Sequence, residues 1–308
     1  MAQKIFIDGE HGTTGLQIVT RLSGRKDIEL ISSPADKRKD PDTRAEYLRK
    51  ADIAILCLPD DAAREAVALA ADAGTRFIDA STAHRVSPGW TYGFAEMAKD
   101  QAQKIAAAQF VANPGCWPQG PIAMLRPLVE GGLLPADYPV TMSGISGYSG
   151  GGKAMIADYE AKGEDAAEYL PYGLTLKHKH VPELKANALL AHDPLIQPVV
   201  GNFAQGMVTM VPLQLGHLAR APKGAEIHAA IADHFAGIAN SLVSVAPFIE
   251  TERTPDLDPE CHNDTDRMTL HVFANDGRAQ ALLVAVYDNL GKGASGAAVQ
   301  NLDLMLGK

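Results

Sequence analysis

Two short stretches hold the side chains best able to make or break bonds. Residues 113–120 read Asn-Pro-Gly-Cys-Trp-Pro-Gln-Gly, with Cys116 between a Pro-Gly and a Trp-Pro pair. So turn-rich a stretch cannot form the middle of a regular element. Cys116 is therefore an incidental small residue, a metal ligand, or a nucleophile attacking as its thiolate. Residues 177–183 read KHKHVPE. His178 and His180 are two apart and share one face of an extended segment. Glu183 follows Pro182, a residue suited to the first turn of a helix. Together with Cys116 these groups offer either a metal site or a histidine that activates the cysteine. One cysteine and one His-x-His make a thin zinc set, so the catalytic reading is preferred and no metal is expected. His217, in QLGHLAR, is a rival base. Of the other cysteines, Cys57 lies in an apolar run and reads as core, whereas Cys261 lies in the polar, Pro-bearing loop 251–266. Gly147–Lys153 (GYSGGGK) matches G-x-x-x-x-G-K, but Ala154 stands where a Ser or Thr would hold Mg²⁺. It is expected to be a flexible glycine loop near a ligand, not a triphosphate cradle.

These groups must be carried by a scaffold, and its start is readable. KIFID (4–8) is a strand pattern. Glycines at 9, 12 and 15 follow, then LQIVTRL with helical spacing. Gly9 can make the tight turn, Gly12 can let backbone approach a pyrophosphate, and Gly15 can let the helix pack close to the strand. The helix N-terminus would then face the anion. The next strand, DIELISS (27–33), ends in Ser32-Ser33-Pro34 rather than an acidic residue, and the basic run Lys37-Arg38-Lys39 comes soon after. Hydroxyls and cations suit a 2′-phosphate, which favours NADP over NAD. ADIAILCLPDD (51–61) and RFIDAST (76–82) are further strands, and the interleaved helix DAAREAVALAADAG (61–74) implies an α/β, doubly wound parallel sheet. Beyond Cys116 the strands PVTMSGISG, LIQPVVGNF, GMVTMVPLQLGHLA, RMTLHVFAND and QALLVAVYDN lack regular alternating helices. They predict an α+β domain on a mixed or antiparallel sheet. The expected division is 1–117, completed by the C-terminal helix 290–308, and 118–289.

With 308 residues, two domains are the natural expectation. The net charge of −9 argues against general nucleic-acid binding. No apolar stretch is long enough to span a membrane, and the N-terminus lacks the apolar core of a signal peptide. Three scattered cysteines make no disulfide framework, so a reducing cytoplasm is the simplest location.

GEHGTTGLQI (9–18), DASTAHR (79–85), NPGCWPQG (113–120), SGYSGGGK (146–153), HKHVPE (178–183) and NLGKGASGAAVQN (289–301), in that order, resemble the N-acetyl-γ-glutamyl-phosphate reductases, in the shorter subfamily. The resemblance covers nearly the whole chain. It implies NADPH-dependent reduction of N-acetylglutamyl phosphate in arginine biosynthesis, through a thioester on Cys116. His178 would be the acid/base at its ordinary pKa near 6.5, its imidazolium and the start of the following helix together lowering the Cys116 pKa. His180 and Glu183 would orient it or bind substrate, with Arg85, Asn113 and Lys153 also on the substrate. Cofactor contacts would fall at Gly9, Gly12, Thr13, Thr14, Gly15, Ser33, Arg38, Pro59 and Asn289. The glycine spacing and DASTAHR both depart from the longer subfamily's forms. Two alternatives stand: aspartate-semialdehyde dehydrogenase, whose histidine the P-x-x-x-G-H pattern at His217 resembles, and a non-catalytic NADP(H)-binding regulator. A homodimer or homotetramer is expected.

Overall fold

The computed structural model describes residues 2–38, 40–249, 251, 253–254 and 257–308. Lys39, from the basic run, and Glu252, Pro255 and Asp256, from the polar loop, lie outside the described residues. The chain divides into two compact units. The first comprises Met1–Ala95, Asp100–Gly115 and Ala294–Lys308; the second comprises Glu96–Lys99 and Cys116–Gly293. The division thus falls between Gly115 and Cys116, so Cys116 and Trp117 group with the second unit, as do residues 290–293.

The first unit is a six-stranded, all-parallel sheet. Its strands are β1 (Gln3–Asp8), β2 (Ile28–Ile31), β3 (Ile53–Leu56), β4 (Arg76–Asp79), β5 (Thr91–Tyr92) and β6 (Phe110–Ala112). The spatial order is β2-β1-β3-β4-β6-β5. The central strand β3, IAIL, is buried at every position, as a strand covered on both faces must be. Two apolar layers flank the sheet. On one side Ile5, Ile7 and Ile55 pack with Ile18 of helix α1 (Thr13–Leu22), Ile105 of α4 (Gln101–Ala107) and Leu302 of α9 (Gly296–Met305). On the other, Phe6, Ala54 and Phe77 pack with Leu48 of α2 (Pro41–Lys50) and Ala63 and Ala66 of α3 (Asp60–Ala70). The sequence pattern does not mark α2, because PDTRAEYLRK is mostly polar. Its start is set by Asp40, whose carboxylate accepts the Thr43 N–H at 2.8 Å, and by Pro41 in the first turn.

The second unit is a seven-stranded mixed sheet. It contains β7 (Thr141–Gly147), β8 (Tyr169–Pro171), β9 (Leu195–Gly201), β10 (Met207–Gln214), β11 (Val243–Val245), β12 (Met268–Asn275) and β13 (Gln280–Tyr287), in the order β11-β12-β13-β10-β7-β9-β8. Helices α5 (Cys116–Glu130) and α8 (Gly224–Ala236) pack on this sheet, and α7 (Val181–Asn187) packs on α5. Helix α5 is buried along nearly its whole length. Gly147–Lys153 is not an open loop. It forms a 3₁₀ turn, Tyr148–Gly151, that feeds directly into α6 (Gly152–Lys162).

Candidate active site

In the first unit the glycine turn after β1 has the shape that its spacing demands. Gly9 has φ +91°, and a Cβ there would meet the Cys57 carbonyl oxygen at 2.3 Å. A Cβ on Gly15 would meet the Gly9 carbonyl oxygen at 2.3 Å, because α1 packs directly against the turn. Gly12 is the N-cap of α1, whose first residues are Thr13 and Thr14. Gly15→Ala should therefore cost about 1–3 kcal/mol of stability and weaken dinucleotide binding. A urea midpoint and a cofactor titration both at wild-type values would contradict this.

A cleft of about 410 Å³ opens beside the turn, lined by Gly9, Glu10, Gly12, Ser33, Arg38, Arg44 and Leu58 among others. Pro59, next to Leu58, is the exposed N-cap of α3. Arg44 was not legible as a cleft residue. It is buried, and its guanidinium donates to Asp8 Oδ2 at 3.0 Å and to Glu65 at 3.2 Å. Burial pushes the Asp8 carboxyl upward, against the pull of Arg44. Ser32 is engaged elsewhere: its hydroxyl donates to Glu10 at 3.1 Å. Ser33 and Arg38 thus remain as the cleft's hydroxyl and cation. The bare glycine cradle, the helix start and these two side chains fit the pyrophosphate and ribose of a dinucleotide.

The turn after β4 is held by a buried Asp79–His84 pair at 2.6 Å, with Ser81 donating to the same carboxylate. It presents Arg85, whose Nε donates to the Asn113 carbonyl at 3.0 Å and whose Nη2 donates to the Ala80 carbonyl at 3.1 Å. Asn113, expected on the substrate, also bonds to the scaffold. Its Nδ2 donates to the Ala294 carbonyl and its Oδ1 accepts from Asn301. Asn289, expected on the cofactor, is likewise engaged, accepting from the Gly206 N–H and donating to Ser149. Lys153 lies exposed in the first turn of α6.

The second unit gathers the chemistry. Cys116 is the first residue of α5, the end where unpaired N–H groups and the helix dipole favour negative charge. The helix starts one residue earlier than expected, at the cysteine itself. Next to it, Trp117 meets Tyr172 edge-on at 6.4 Å and His178 at 6.3 Å between ring centres. Tyr172, which the sequence pattern did not single out, stands 3.4 Å from His178 Nε2. Burial, and the charge that Cys116 carries as a thiolate, push the Tyr172 hydroxyl well above its ordinary pKa. The tyrosine therefore stays protonated at neutral pH.

The two histidines have different settings. His180 is buried, and its Nδ1 lies 2.5 Å from the equally buried Glu183 carboxylate. An Nδ1–H donated to a carboxylate makes Nε2 the basic nitrogen. His178 Nδ1 accepts the backbone N–H of His180 at 3.3 Å, so the neutral ring carries its proton on Nε2. Burial, followed by His180 and Lys179, pushes the His178 pKa down to about 4. This overturns the imidazolium expected beside Cys116: at neutral pH the ring is uncharged. His217 follows the end of β10 at which Gln214 pairs with Gln280, and it is exposed. The opposite end of that strand pairs with Tyr287, whose hydroxyl donates to the Cys116 carbonyl. Cys57 is inert by comparison, since burial pushes its thiol up to about 12. Among the described residues, no three His, Cys, Asp or Glu side chains converge to hold a metal ion, and no helix is long and apolar enough to cross a membrane.

Comparison with known proteins agrees with this geometry. Residues 116–289 match the family model "Semialdehyde dehydrogenase, dimerisation domain", and residues 32–105 match "Semialdehyde dehydrogenase, NAD binding domain". The chain is 73% identical over 306 residues to the N-acetyl-gamma-glutamyl-phosphate reductase of Chelativorans sp. (strain BNC1), covering 99% of both chains. It is 70% identical to the protein of the same name from Mesorhizobium japonicum, covering all of both. A probable aspartate-semialdehyde dehydrogenase structure from Pseudomonas aeruginosa shares the fold, with a TM-score of 0.74, 16% identity and 99% of each chain covered. The first unit is thus a nicotinamide-dinucleotide domain and the second carries the cysteine. The chain belongs to the semialdehyde dehydrogenase family, among its N-acetyl-γ-glutamyl-phosphate reductases.

Proposed function

We propose that the protein reduces N-acetyl-L-glutamyl 5-phosphate to N-acetyl-L-glutamate 5-semialdehyde with release of phosphate, a step of arginine biosynthesis. The observation that carries the reading is Cys116 at the first turn of α5, followed by Trp117, whose ring meets those of Tyr172 and His178. The Cys116 thiolate attacks the acyl-phosphate carbonyl. Negative charge moves to the carbonyl oxygen, the C–O bond to phosphate breaks, and a thioester remains on sulfur. Bound nicotinamide supplies the hydride that reduces this thioester. The resulting hemithioacetal expels the thiolate and frees the semialdehyde.

Here His178 acts as a neutral Nε2–H donor to the oxygen that becomes negative, a duty that suits an imidazole whose pKa is depressed. His180, backed by Glu183, is the proton acceptor when the cysteine must be deprotonated. Arg85 and Lys153 are assigned to the phosphate and carboxylate of the substrate.

The cofactor is assigned as NADP(H), on the strength of Ser33 and Arg38 in the dinucleotide cleft. NADPH should be used at least about tenfold better than NADH in kcat/KM, or about 1.4 kcal/mol. Arg38→Ala should remove most of that preference. Equal use of the two cofactors by the wild-type enzyme would contradict the assignment. A cytoplasmic enzyme acting as a homodimer or homotetramer accords with three free cysteines and with the dimerisation-domain match. The deciding assay is phosphate-dependent NADP⁺ reduction with N-acetylglutamate semialdehyde, run beside aspartate semialdehyde. Turnover of the second substrate alone would overturn the choice of substrate. Turnover of neither would overturn the enzymatic reading.

A further inference from the structure

One buried ion pair has no part in the chemistry just described. Lys292 Nζ lies 2.7 Å from Glu96 Oε2, and each side chain is 1% exposed. Burying two charges costs more than an apolar pair of the same volume would, so the contact is poorly explained by stability. Its connections suggest another purpose. Glu96 is anchored on two sides: its Oε1 accepts the Leu242 N–H at 3.1 Å, and its backbone carbonyl accepts from His234 at 3.2 Å. Through Lys292 this anchor holds the segment 290–293.

That segment is the seat of Cys116. The Lys292 carbonyl accepts Gln119 Nε2 at 2.8 Å, inside the first turn of α5. A Cβ on Gly293 would come within 3.0 Å of Cys116 Cβ and 3.4 Å of its Cα, so the backbone of Gly293 packs directly on the cysteine. The Gly293 N–H donates to the Asp288 carbonyl, and neighbouring Tyr287 donates its hydroxyl to the Cys116 carbonyl at 2.7 Å.

We infer that Glu96 and Lys292 are positioning residues: through the Lys292–Gln119 hydrogen bond and the Gly293 contact, their pair fixes where the Cys116 sulfur sits. The inference rests on Cys116 being the nucleophile of the proposed reaction. A shift of about 1 Å at a nucleophile can cost on the order of 10²-fold in rate.

Two variants of the full-length enzyme test it. Gln119→Met cuts the link between the ion pair and α5 while keeping both charges. The double variant Glu96→Gln/Lys292→Met removes the pair without leaving one charge alone in the interior. Both should melt close to wild type and keep KM within about twofold, while kcat falls about 10-fold to 10²-fold. Alkylation of Cys116 by iodoacetamide should slow in step with kcat. Wild-type kcat in a folded variant overturns the inference. So does a kcat loss matched by an equal rise in KM, or one with unchanged alkylation. If the double variant fails to fold, Gln119→Met decides alone. If the wild-type protein has no reductase activity, the functional reading has failed on its own, and the alkylation rates then decide positioning, equal rates overturning it.

Discussion

In Cys116→Ser, phosphate-dependent oxidation of N-acetylglutamate semialdehyde should fall at least about 10³-fold, the scale seen when a covalent nucleophile is removed, with little change in melting temperature. The hydroxyl is nearly isosteric, and Cys116 is only half-buried, so little packing is lost. The chemistry is lost because a serine hydroxyl is far less ionised than a thiol and the helix start cannot make up the difference. Iodoacetamide provides a second readout. It should label Cys116 in preference to Cys57, whose thiol burial pushes up to about 12, and substrate should block the labelling. Near-wild-type turnover in Cys116→Ser would remove the covalent mechanism altogether.

The second large effect separates three histidines. His178→Asn should lower kcat about 10²- to 10³-fold, the usual value of one donor to a developing oxyanion. It should leave the position of the acid limb of the pH profile unchanged. With a pKa near 4, His178 is already neutral throughout the neutral range and contributes no titration around 6.5. His180→Asn should cost about 10²- to 10⁴-fold as the loss of a general base. His217→Asn should stay close to wild type. An acid limb near 6.5 that disappears in His178→Asn would return the acid/base role to that residue. A large loss confined to His217→Asn would relocate the base entirely. The same depressed pKa has a consequence for stability. The unfolded chain binds a proton at His178 near 6.5 and the folded chain near 4. The stabilising contribution is therefore full above 6.5 and is lost as pH falls from there toward 4. In His178→Asn this part of the acid sensitivity should disappear from urea midpoints measured across that window.

The legible parts of the fold were those in which local pattern and global requirement coincide. KIFID, IAIL and RFID are apolar on both faces, which only a covered parallel strand can use. The glycines at 9, 12 and 15 act within a single turn, so their spacing carried the geometry. Other elements were hidden because tertiary contacts place them. Helix α2 has little apolar surface of its own and is fixed by its cap and by the buried Arg44–Asp8 pair. The stretch GYSGGGK reads as loose chain, yet it closes into a 3₁₀ turn and a helix because Ser149 is tied to Asn289, 140 positions away. The scaffold bonds of Asn113 and Asn289 were hidden for the same reason: their partners lie far off in sequence.

At the site, the sequence by itself determined which residues can react and in what local setting. Cys116 follows Pro-Gly and opens a helix, and His178, His180 and Glu183 share seven residues. Tertiary structure alone decided their states. Burial and the nearby His180 strip His178 of its charge, Glu183 fixes the tautomer of His180, and Tyr172 comes in beside both His178 and Trp117. The reason is physical. Residue type and spacing fix covalent reactivity and short-range geometry, whereas protonation depends on desolvation and on charges brought close by folding, which no local pattern encodes.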